Sequence, residues 1–591
     1  MNRVIGQNLE VRVGLGSCGI ANGAQLVWEV LEAGAEKAGN FRLVKAVGCG
    51  GSCHREPLVE VVSVDGERVV YTKVTPAAAR MILRQHVTPK RWPVRLRWTL
   101  DKWSESELPK PSSDDILGSA RRIVLENCGE IDPNSIAEYQ SKGGYDALRL
   151  CLDTKTPEGI IEVISQSGLR GRGGAGFPTG RKLGIALAQP SPKYVVCNGD
   201  EGDPGAFMDR LILESDPHRV VEGLAIAAWA VGADEGFFYI RAEYPQAVLK
   251  IRQAVAAAQQ AGILQIPMSI REGAGAFVCG EETALIASLE GERGMPRLRP
   301  PYPVERGFRG HPTVVNNVET LANIPWIIRH GAEAYRSHGT STSSGTKVFA
   351  LAGKIQRGGL VEVPMGSTIR EIVEKQGGGV APGRQLKAVQ LGGPSGGCLP
   401  ASLADTPVDY EALAETGAIM GSGGMVVLDD RDCMVDISRY FLQFTCEESC
   451  GKCTFCRIGT RRMLEILERL CAGEGRQGDL ETLEELADRV RRTSLCGLGQ
   501  TAPNPVSTAL RYFRAEFEAH LHEGRCPAGR CPALVTYAIN DNCIGCTLCA
   551  QACPVDAIET KPYELHVIDD AACVRCDACR EVCEDDAVEV D

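Results

Sequence analysis

The cysteines constrain this chain more than any other feature, because 16 of its 25 lie between Cys446 and Cys583. No apolar run reaches the roughly 18 residues of a membrane span, and the first residues lack the pattern of a secretory signal. We therefore expect a cytoplasmic protein, in which thiols are kept reduced. In such a chain, clustered cysteines indicate metal ligands rather than disulfide partners.

Two cysteine runs share the spacing C-x2-C-x2-C-x3-C, which is typical of bacterial ferredoxins. In that pattern the fourth cysteine of each run binds the cluster of the other run, and thiolates are soft ligands that suit iron. A pair of zinc sites is the alternative. The spacing predicts one 4Fe–4S cluster on Cys543, Cys546, Cys549 and Cys583, and another on Cys573, Cys576, Cys579 and Cys553.

A third run, ESCGKCTFC, supplies Cys450, Cys453 and Cys456 but no fourth cysteine. Cys496, in SLCGLG, is the natural remote ligand, because a helical hairpin between the two segments can return the chain. We predict a third 4Fe–4S cluster here, with a structural zinc site as the alternative.

Two smaller groups of thiols are also candidates for metal binding. One group would make a tetrahedral zinc site from His522, Cys526 and Cys531, joined by Cys446 or Cys471. The alternative is that Cys526 and Cys531 are ordinary linker cysteines that bind no metal. Near the amino terminus, a second group suggests a 2Fe–2S site without a fourth cysteine, so either another residue completes it or the cluster is absent. Its members are Cys18, Cys49 and Cys53. The remaining cysteines are interpreted as small buried residues: Cys128, Cys151, Cys197, Cys279, Cys398 and Cys433.

A chain of 591 residues is too long for one hydrophobic core, and its net charge of −12 argues against nucleic-acid binding. Periodicity and turn signals predict a multidomain α/β and α+β protein. The predicted domains are 1–100 (small α/β), 115–340 (α/β with many glycines), 345–430 (α+β), 435–525 (helical bundle) and 533–591 (two strand, cysteine-run and helix units).

A glycine-rich segment at 167–182, SGLRGRGGAGFPTGRK, could hold a phosphate. Its glycines allow close backbone approach, and Arg172 and Lys182 add positive charge. Gly171, Gly173 and Gly176 satisfy G-x-G-x-x-G, but the preceding residues look helical. Because the Rossmann fingerprint must follow a strand, we do not assign that fold.

Two acidic stretches accompany this loop, YVVCNGDEGDPGAFMDR (194–210) and GAGAFVCGEETALIASLEG (273–291). Carboxylates beside a phosphate loop suit ribose hydroxyls, a flavin edge or a nicotinamide amide better than a second phosphate. Phe177, Phe207, Phe277 and Tyr302 lie nearby in the sequence and favour a pocket for aromatic rings. Solvated acidic loops are the alternative.

Together with RLRPPYP, VNNVET and ESCGKCTFC…SLCGLG, these motifs resemble the NADH-binding flavoprotein subunit of respiratory complex I over about residues 115–525. The added terminal units are similar to the equivalent subunit of soluble NAD-linked iron hydrogenases, often electron-bifurcating, and formate dehydrogenases. The resemblance implies a thioredoxin-like first domain, an FMN and NAD(H) domain and a β-grasp module. Implied partners are a small 2Fe–2S thioredoxin-like subunit, a catalytic subunit such as hydrogenase or formate dehydrogenase, and soluble ferredoxin.

The resemblance also implies which residues line the cofactor site. FMN contacts would come from Gly171, Arg172, Gly173, Lys182, Asn198, Asp200, Gly280, Glu281, Asn316 and Asn317. The NADH side would be lined by Phe177, Glu201, Asp203, Glu282, Arg299 and Tyr302. The chain departs from the usual family residues at four positions. Asp203 stands where the family often has glutamate, Phe277 where tyrosine is common, Arg299 where lysine is common and Leu183 where tryptophan is usual. These departures leave the choice between NADH and NADPH open.

The implied activity is hydride transfer between NAD(P)(H) and FMN, a reaction in which the cofactor rather than a side chain carries the chemistry. Electrons would then pass singly through the iron–sulfur clusters to partner subunits or ferredoxin, in either direction and with bifurcation as a hypothesis. The rival interpretation is a cluster-carrying scaffold without nucleotide oxidoreduction of its own.

Overall fold

The computed structural model describes residues 9–40, 43–87 and 122–590, together with positions 89, 93, 94, 98 and 111. The predicted domain boundaries at 100 and 115 lie outside these residues. The chain forms two compact units, and the first holds residues 1–379, 404–414 and 420–426. The second holds residues 380–403, 415–419 and 427–591. Within the described ranges, no helix is both long and apolar enough to cross a bilayer.

A four-stranded sheet with two main helices forms the amino-terminal part of the first unit. Its elements are β1 (Glu10–Gly14), α1 (Ser17–Ala21), α2 (Ala24–Lys37), β2 (Val44–Val47), β3 (Val59–Val62), β4 (Arg68–Tyr71) and α3 (Pro76–His86). The strand order is β2–β1–β3–β4, with β1 parallel to β2 and antiparallel to β3. Val11, Val13 and Val59 point to one face and are buried against α2 and α3, as the alternation along these strands requires.

A second sheet of four parallel strands organises the rest of this unit. Its strands are β5 (Tyr194–Gly199), β6 (Glu235–Arg241), β7 (Met268–Gly273) and β8 (Thr313–Asn317), in the order β7–β6–β5–β8. The two central strands, β5 and β6, are largely apolar and buried, which is expected when helices cover both faces of a sheet, whereas the edge strand β7 carries the exposed residues Arg271 and Glu272. The helices are α4 (Ile136–Ser141), α5 (Asp146–Thr154), α6 (Pro157–Gln166), α7 (Thr179–Leu187), α8 (Met208–Ser215), α9 (Pro217–Val231), α10 (Pro245–Gln260), α11 (Glu282–Leu289), α12 (Pro303–Arg306), α13 (Val318–His330) and α14 (Ala332–Arg336).

An antiparallel hairpin of β9 (Thr346–Gly353) and β10 (Gly359–Pro364) follows, and a fully buried ion pair ties it to α13. The Lys347 ammonium contacts the Glu319 carboxylate and donates to the Ser422 carbonyl at 2.6 Å. Glu319 also accepts a hydrogen bond from the Val348 N–H at 2.9 Å. The first turn of α13 is thereby fixed to β9.

The second unit contains an antiparallel strand pair, a group of helices and a small fold of two short strand pairs and two short helices. Its elements, with two that lie where the chain changes unit, are β11 (Leu386–Leu391), β12 (Gly397–Pro400), α15 (Tyr410–Glu415), β13 (Gly424–Asp429), α16 (Met434–Glu447), α17 (Thr460–Cys471), α18 (Asp479–Thr493), α19 (Gly497–Thr501), α20 (Asn504–Glu518), β14 (Tyr537–Ile539), α21 (Leu548–Ala552), β15 (Ile558–Glu559), β16 (Val567–Ile568), α22 (Ala578–Glu581) and β17 (Val588–Val590). Residues 435–525, all described, contain helices and no strand, as the sequence predicts.

The last 55 or so residues fold back on themselves. β14, from the start of this segment, pairs antiparallel with β17 from its end, and β15 pairs with β16. The first strand is therefore held by the last, which brings the two cysteine runs side by side.

Candidate cofactor sites

The sheet of the first unit has a switch point between β5 and β8. The chain runs from β5 outward through β6 and β7, and then returns to place β8 on the other side of β5. In open α/β sheets, ligands bind outside the carboxyl ends of the strands at such a point. Asn198 and Asn316 lie near the ends of these two neighbouring strands and pair with Asn317 and Cys197, respectively. We therefore expect a crevice at this point, beside residues predicted to bind a cofactor.

The glycine-rich loop leads into α7 and is closed by its own backbone. The Gly171 N–H donates to the Phe177 carbonyl at 2.9 Å, and Gly174 and Gly176 have φ angles of 120° and 63°. Side chains would be strained at both positions. A Cβ on Gly173 would lie 3.0 Å from the Asn317 Cβ, so the loop lies against the end of β8. As predicted, a helix (α6) and not a strand precedes this loop.

The asparagines of the crevice have different roles. Asn198 donates to the Gly280 carbonyl at 2.9 Å, which joins β5 to the segment after β7. Asn317 caps α13, because its carbonyl oxygen accepts the Glu319 N–H at 2.9 Å. The Asn316 side chain is 5% exposed, and its Nδ2 has no hydrogen-bond partner among the described residues. A buried amide donor of this kind is unfavourable unless something else accepts from it.

The predicted cations of the loop differ in availability. Lys182 is partly buried, and burial lowers its pKa, while its ammonium donates to the Val315 carbonyl at 2.9 Å, beside Asn316. Arg172 is completely buried, and its guanidinium donates to the carbonyls of Thr346 and Ser344 and to the Tyr335 hydroxyl. The expectation that the Arg172 side chain supplies charge for a phosphate is therefore wrong. This guanidinium holds the loop to the start of β9.

The carboxylates after β5 are held in place by the backbone and by hydroxyl groups. Glu201 is buried and accepts the Asp209 and Arg210 N–H groups at 3.0 and 3.1 Å, and burial raises its pKa. Asp203 accepts a hydrogen bond from the Ser422 hydroxyl at 2.6 Å, and desolvation raises the pKa of Asp203 to about 6. Asp200, the first residue after the strand, is also buried.

The remaining residues predicted to bind FMN or NADH cap a helix, form an ion pair or expose an aromatic ring. Glu281 caps α11 by accepting the Thr283 and Ala284 N–H groups at 2.9 and 3.0 Å. Glu282 pairs instead with Arg299 at 3.0 Å. Phe177 and Tyr302 are 39% and 50% exposed, unusually high fractions for aromatic rings. Exposed rings are suited to stacking with a ligand, and the charged Glu282 and Arg299 side chains are suited to hydrogen bonding with one.

In the second unit, the four cysteines predicted for the bundle cluster lie together. Burial, together with the neighbouring thiols of Cys453, Cys496 and Cys450, raises the pKa of Cys456 to about 11. Cys496 is buried immediately before α19. The long helical hairpin of α17 and α18 returns the chain to the three-cysteine run, as the sequence predicts.

The two ferredoxin runs cross over. One cavity is lined by Cys543, Cys546, Cys549 and Cys583. Another is lined by Cys573, Cys576, Cys579 and Cys553. Each cavity thus has three cysteines of one run and the fourth of the other, which is the predicted grouping. His566 is buried at the first cavity, with Nδ1 3.4 Å from the Cys549 sulfur.

This crossing predicts the outcome of removing each fourth cysteine. In a Cys583→Ala chain, we expect the cluster on Cys543, Cys546 and Cys549 to be lost or altered. The cluster on the Cys573 run, which is closer to Cys583 along the chain, should stay intact. Cys553→Ala should have the reverse effect. Mössbauer spectra and iron content of the two anaerobic proteins would check this expectation, and loss of the same cluster in both variants would contradict it.

A compact thiol and imidazole group lies after the helical bundle. Cys433, His520, Cys526 and Cys531 are all buried, and their ligand atoms lie within 4.8 Å of one another. The His520 Nε2 is 3.4 Å from the Cys433 sulfur and 3.3 Å from the Cys531 sulfur, and the two sulfurs are 3.7 Å apart. Tetrahedral zinc with ordinary Zn–S and Zn–N bonds separates its ligand atoms by about 3.6–3.8 Å, so the spacing fits that ion.

This group corrects two residues of the predicted zinc set. His522 is exposed, whereas His520 is 1% exposed and its Nδ1 donates to the Glu516 carbonyl at 2.7 Å, which leaves Nε2 for a metal. Cys446 is not part of the group, and its place is taken by Cys433, just before α16. Sequence reasoning missed Cys433 because it stands alone, 87 residues before His520.

The three amino-terminal cysteines also lie together. The Cys49 and Cys53 sulfurs are 3.8 Å apart. A hydrogen bond from Cys53 lowers the pKa of Cys18 to about 6, and Arg210, 3.5 Å from the Cys18 sulfur, acts in the same direction. Glu56, which the sequence did not indicate, lies beside Cys49, and burial raises its pKa to about 7.

Three segments match known family models. They are residues 164–326, matching the Nuo51 FMN-binding domain, residues 436–520, matching the NADH-ubiquinone oxidoreductase-F iron-sulfur binding region, and residues 537–590, matching a 4Fe-4S dicluster domain. The chain is 52% identical over 456 residues to NADP-reducing hydrogenase subunit HndC of Solidesulfovibrio fructosivorans, covering 75% of this chain and 93% of that protein. This chain belongs to the complex I 51 kDa family.

Another member and a solved structure agree with this family. The F 2 subunit of the NADH-quinone oxidoreductase of Rhizobium meliloti is 45% identical over 415 residues, which cover 68% of this chain and 99% of that protein. The structure of an air-oxidized NAD+-reducing NiFe hydrogenase is similar at 31% identity and a TM-score of 0.61, over 87% of this chain and 85% of the matched chain. As a complex I 51 kDa family member, the chain is an NADH-binding FMN and iron–sulfur electron-transfer subunit, with oxidoreductase activity of the NAD(P)H dehydrogenase type.

Proposed function

We propose that the crevice between β5 and β8 binds FMN, with the flavin phosphate over the glycine-rich loop. The observation that carries this proposal is the buried Asn316 amide, which has no partner among the described residues and lies at the switch point of the sheet. The loop offers backbone N–H groups at the start of α7, and Lys182 adds a cation. The donors present therefore fit a flavin mononucleotide.

When bound, FMN supplies hydride exchange with a nicotinamide and release of electrons one at a time. The residues of this chain bind and orient both rings, which lowers the barrier through proximity. We assign Asn198, Asp200, Gly280, Glu281, Asn316 and Asn317 to the flavin side, with Gly171, Gly173, Lys182 and the backbone of Arg172. Phe177, Glu201, Asp203, Glu282, Arg299 and Tyr302 are assigned to the nicotinamide nucleotide.

The proposal is tested by rapid mixing of anaerobic FMN-loaded protein with NADH or NADPH. Loss of flavin absorbance within the turnover time supports the proposed site. A flavin that neither nucleotide reduces would favour the rival function, a scaffold that carries clusters without oxidising nucleotides.

Asn316→Leu sharpens this test. Leucine has nearly the same shape as asparagine and removes an unpaired buried donor, so we expect the unfolding stability of the cofactor-free protein to be equal or higher. FMN should bind about 10- to 100-fold more weakly, because a lost hydrogen bond at a buried donor costs about 1–3 kcal/mol. Fluorescence titration with FMN measures the change.

The control for this variant is Asn134→Ala, at an exposed asparagine that contacts Lys250. This substitution should leave FMN affinity unchanged. Equal FMN affinity in Asn316→Leu and the parent protein would contradict the assignment of Asn316.

We further propose three 4Fe–4S clusters, on the bundle cysteines and on the two crossed ferredoxin sets, and a structural zinc ion on Cys433, His520, Cys526 and Cys531. The four-stranded sheet at the amino terminus, with β1 parallel to β2 and antiparallel to β3, supports a thioredoxin-like domain holding a 2Fe–2S cluster. Residues 345–430 are proposed as a β-grasp module. These assignments describe a chain that carries electrons over several centres.

The proposed partners are a small 2Fe–2S thioredoxin-like subunit, a catalytic subunit such as a hydrogenase or formate dehydrogenase, and soluble ferredoxin. Two relatives support this proposal, since one is named as a hydrogenase subunit and another as a subunit of NADH-quinone oxidoreductase. Flavin-based bifurcation is a hypothesis that depends on the two ferredoxin clusters. It predicts that NADH alone does not reduce ferredoxin in the purified complex, and reduction without a second donor or acceptor would contradict it.

A further inference from the structure

We propose that the Glu56 carboxylate is the fourth ligand of a 2Fe–2S cluster whose other ligands are Cys18, Cys49 and Cys53. The inference rests on the proposed cluster domain but not on the nucleotide chemistry of the flavin site. Three thiols alone leave such a cluster one ligand short, and the structure places a buried carboxylate beside them.

The three thiols converge because the parallel strands β1 and β2 end side by side. Gly14, the last residue of β1, is paired with Val47, the last residue of β2. Cys18 follows β1, and Cys49 and Cys53 follow β2. The loops therefore emerge at one edge of the sheet, where the Cys49 and Cys53 sulfurs lie 3.8 Å apart and Cys53 is hydrogen-bonded to Cys18.

Glu56 has one oxygen that is unused. The residue is 5% exposed, and its Oε2 accepts the Leu58 N–H at 2.8 Å. Its Oε1 is buried and has no partner in the described part of the chain. The Cys49 thiol is in contact with the same carboxyl group. A buried, half-satisfied carboxylate among thiols is unfavourable without a positive centre, and iron would provide one.

The backbone leaves space for this carboxylate at two glycines. A Cβ on Gly14 would lie 3.0 Å from the Glu56 Oε1, and a Cβ on Gly19 would lie 3.3 Å from its Oε2 and 2.5 Å from the Gly14 carbonyl oxygen. Any larger residue at Gly14 would press against the carboxylate. The carboxylate therefore lies against the end of β1, and Cys18 follows Gly14, the last residue of that strand, by four residues.

A second carboxylate near the thiols, Glu214, is a weaker candidate. Its two oxygens accept the Ser17 N–H at 2.8 Å and the Ser17 hydroxyl at 2.5 Å, and Arg210 lies 4.0 Å away. Glu214 thus fixes the turn that carries Cys18, and both of its oxygens are already hydrogen-bonded, so neither is available as a cluster ligand. Glu56 is the group with an unused ligand atom.

The spacing of the set argues for a cluster rather than a single ion. Among the residues that the structure describes, the Cys433 group has its ligand atoms within 4.8 Å of one another, and the set with Glu56 is not as compact. One tetrahedral ion requires the compact arrangement, whereas two irons spread their ligands over a longer distance. Oxygen ligation is chemically acceptable because carboxylates are also ligands of protein-bound iron.

The test uses the full-length protein, matured with iron and sulfide and kept anaerobic. Its dithionite-reduced form is examined by electron paramagnetic resonance at a temperature at which 4Fe–4S signals are broadened and a 2Fe–2S signal persists. We expect such a signal in the parent protein. Glu56→Ala and Glu56→Gln should lose the signal, together with the iron and sulfide of one 2Fe–2S cluster.

Two further variants separate ligation from folding. Glu56→Cys should keep the iron and sulfide but shift the resonance and the visible spectrum, because a thiolate replaces an oxygen ligand. Glu214→Gln, at the neighbouring carboxylate, should keep the parent spectrum. Glu56→Gln preserves the size of the side chain, so its loss of signal would not arise from a cavity.

Three results would overturn the inference. They are a parent protein without a 2Fe–2S signal, a Glu56→Gln protein with an unchanged spectrum and iron content, and a disulfide between Cys18 and Cys53 in anaerobic parent protein. Reduction of the flavin by NADH, measured on the same samples, shows whether the proposed nucleotide function survives when this inference fails.

Discussion

Replacing Cys433 by alanine is expected to release zinc and to lower the free energy of unfolding of the second unit by several kcal/mol. Structural zinc supplies about 10–16 kcal/mol of apparent binding free energy in small peptides, and three ligands retain only part of it. The group is buried and links segments 98 residues apart, Cys433 and Cys531. Elemental analysis and calorimetry of the anaerobic protein would measure both effects.

Matched controls for this prediction come from the same segments. His520→Ala should behave like Cys433→Ala, because His520 is buried within 3.4 Å of the Cys433 sulfur. His522→Ala and Cys446→Ala should retain zinc, since neither residue belongs to the group. Zinc bound in full by Cys433→Ala, or lost from His522→Ala, would contradict the site.

Lys347→Met should destabilise the first unit by about 3–5 kcal/mol, because removing one partner of a buried ion pair leaves the other charge uncompensated. Lys347 and Glu319 are 0% and 1% exposed. Burial already raises the pKa of Glu319, and Lys347 is the strongest influence that lowers it. Chemical denaturation of the variant measures the loss.

The loss should depend on pH. Without Lys347 the pKa of Glu319 rises further above its unfolded value, so the folded variant takes up a proton that the unfolded chain has released. Stability is then retained at pH below the unfolded pKa and falls as pH rises through the folded pKa. Lys347→Met should therefore lose stability, relative to the parent protein, as the pH rises above the ordinary pKa of a glutamate.

Two comparisons make this prediction specific. Adding Glu319→Gln to Lys347→Met should recover part of the stability, because it removes the uncompensated charge. Lys354→Met, at an exposed lysine just after β9, should change stability by about 0.5 kcal/mol or less. Equal effects of Lys347→Met and Lys354→Met would show that the ion pair contributes little.

The parts of the site that sequence predicts well are those whose residues are close along the chain. The C-x2-C-x2-C spacing places three ligands on one loop, so each cysteine run was recognisable without the fold. Cys496 could also be inferred, because a helical hairpin separates it from the run and such a hairpin has a simple geometry. The grouping around the two ferredoxin cavities follows the same local logic.

The zinc group could not be predicted completely, because its members are set by tertiary structure. His520 and His522 are two residues apart and so point in different directions from a helical turn. Only the packing of α16 against α20 decides that His520 points inward toward Cys433. A lone cysteine before a helix carries no local signal of this role.

Arg172 illustrates a related limit. The sequence places an arginine among the glycines of a phosphate loop, where its charge suits a phosphate. The partners of its guanidinium include Thr346 and Ser344, more than 170 residues later. The direction of a side chain in a loop depends on such distant contacts. The backbone conformation of the loop was therefore predictable from its glycines, whereas the hydrogen-bond partners of the Arg172 side chain were not.

The exchange of fourth cysteines between the two ferredoxin cavities has a consequence for maturation. Neither cluster can have all four of its cysteine ligands until both runs have been synthesised. Cys583, from the second run, completes the set of the first run, and Cys553, from the first run, completes the set of the second. A chain cut between β15 and β16 would leave two incomplete sites rather than one intact and one missing. Completion of either centre should thus wait until the second run has been synthesised.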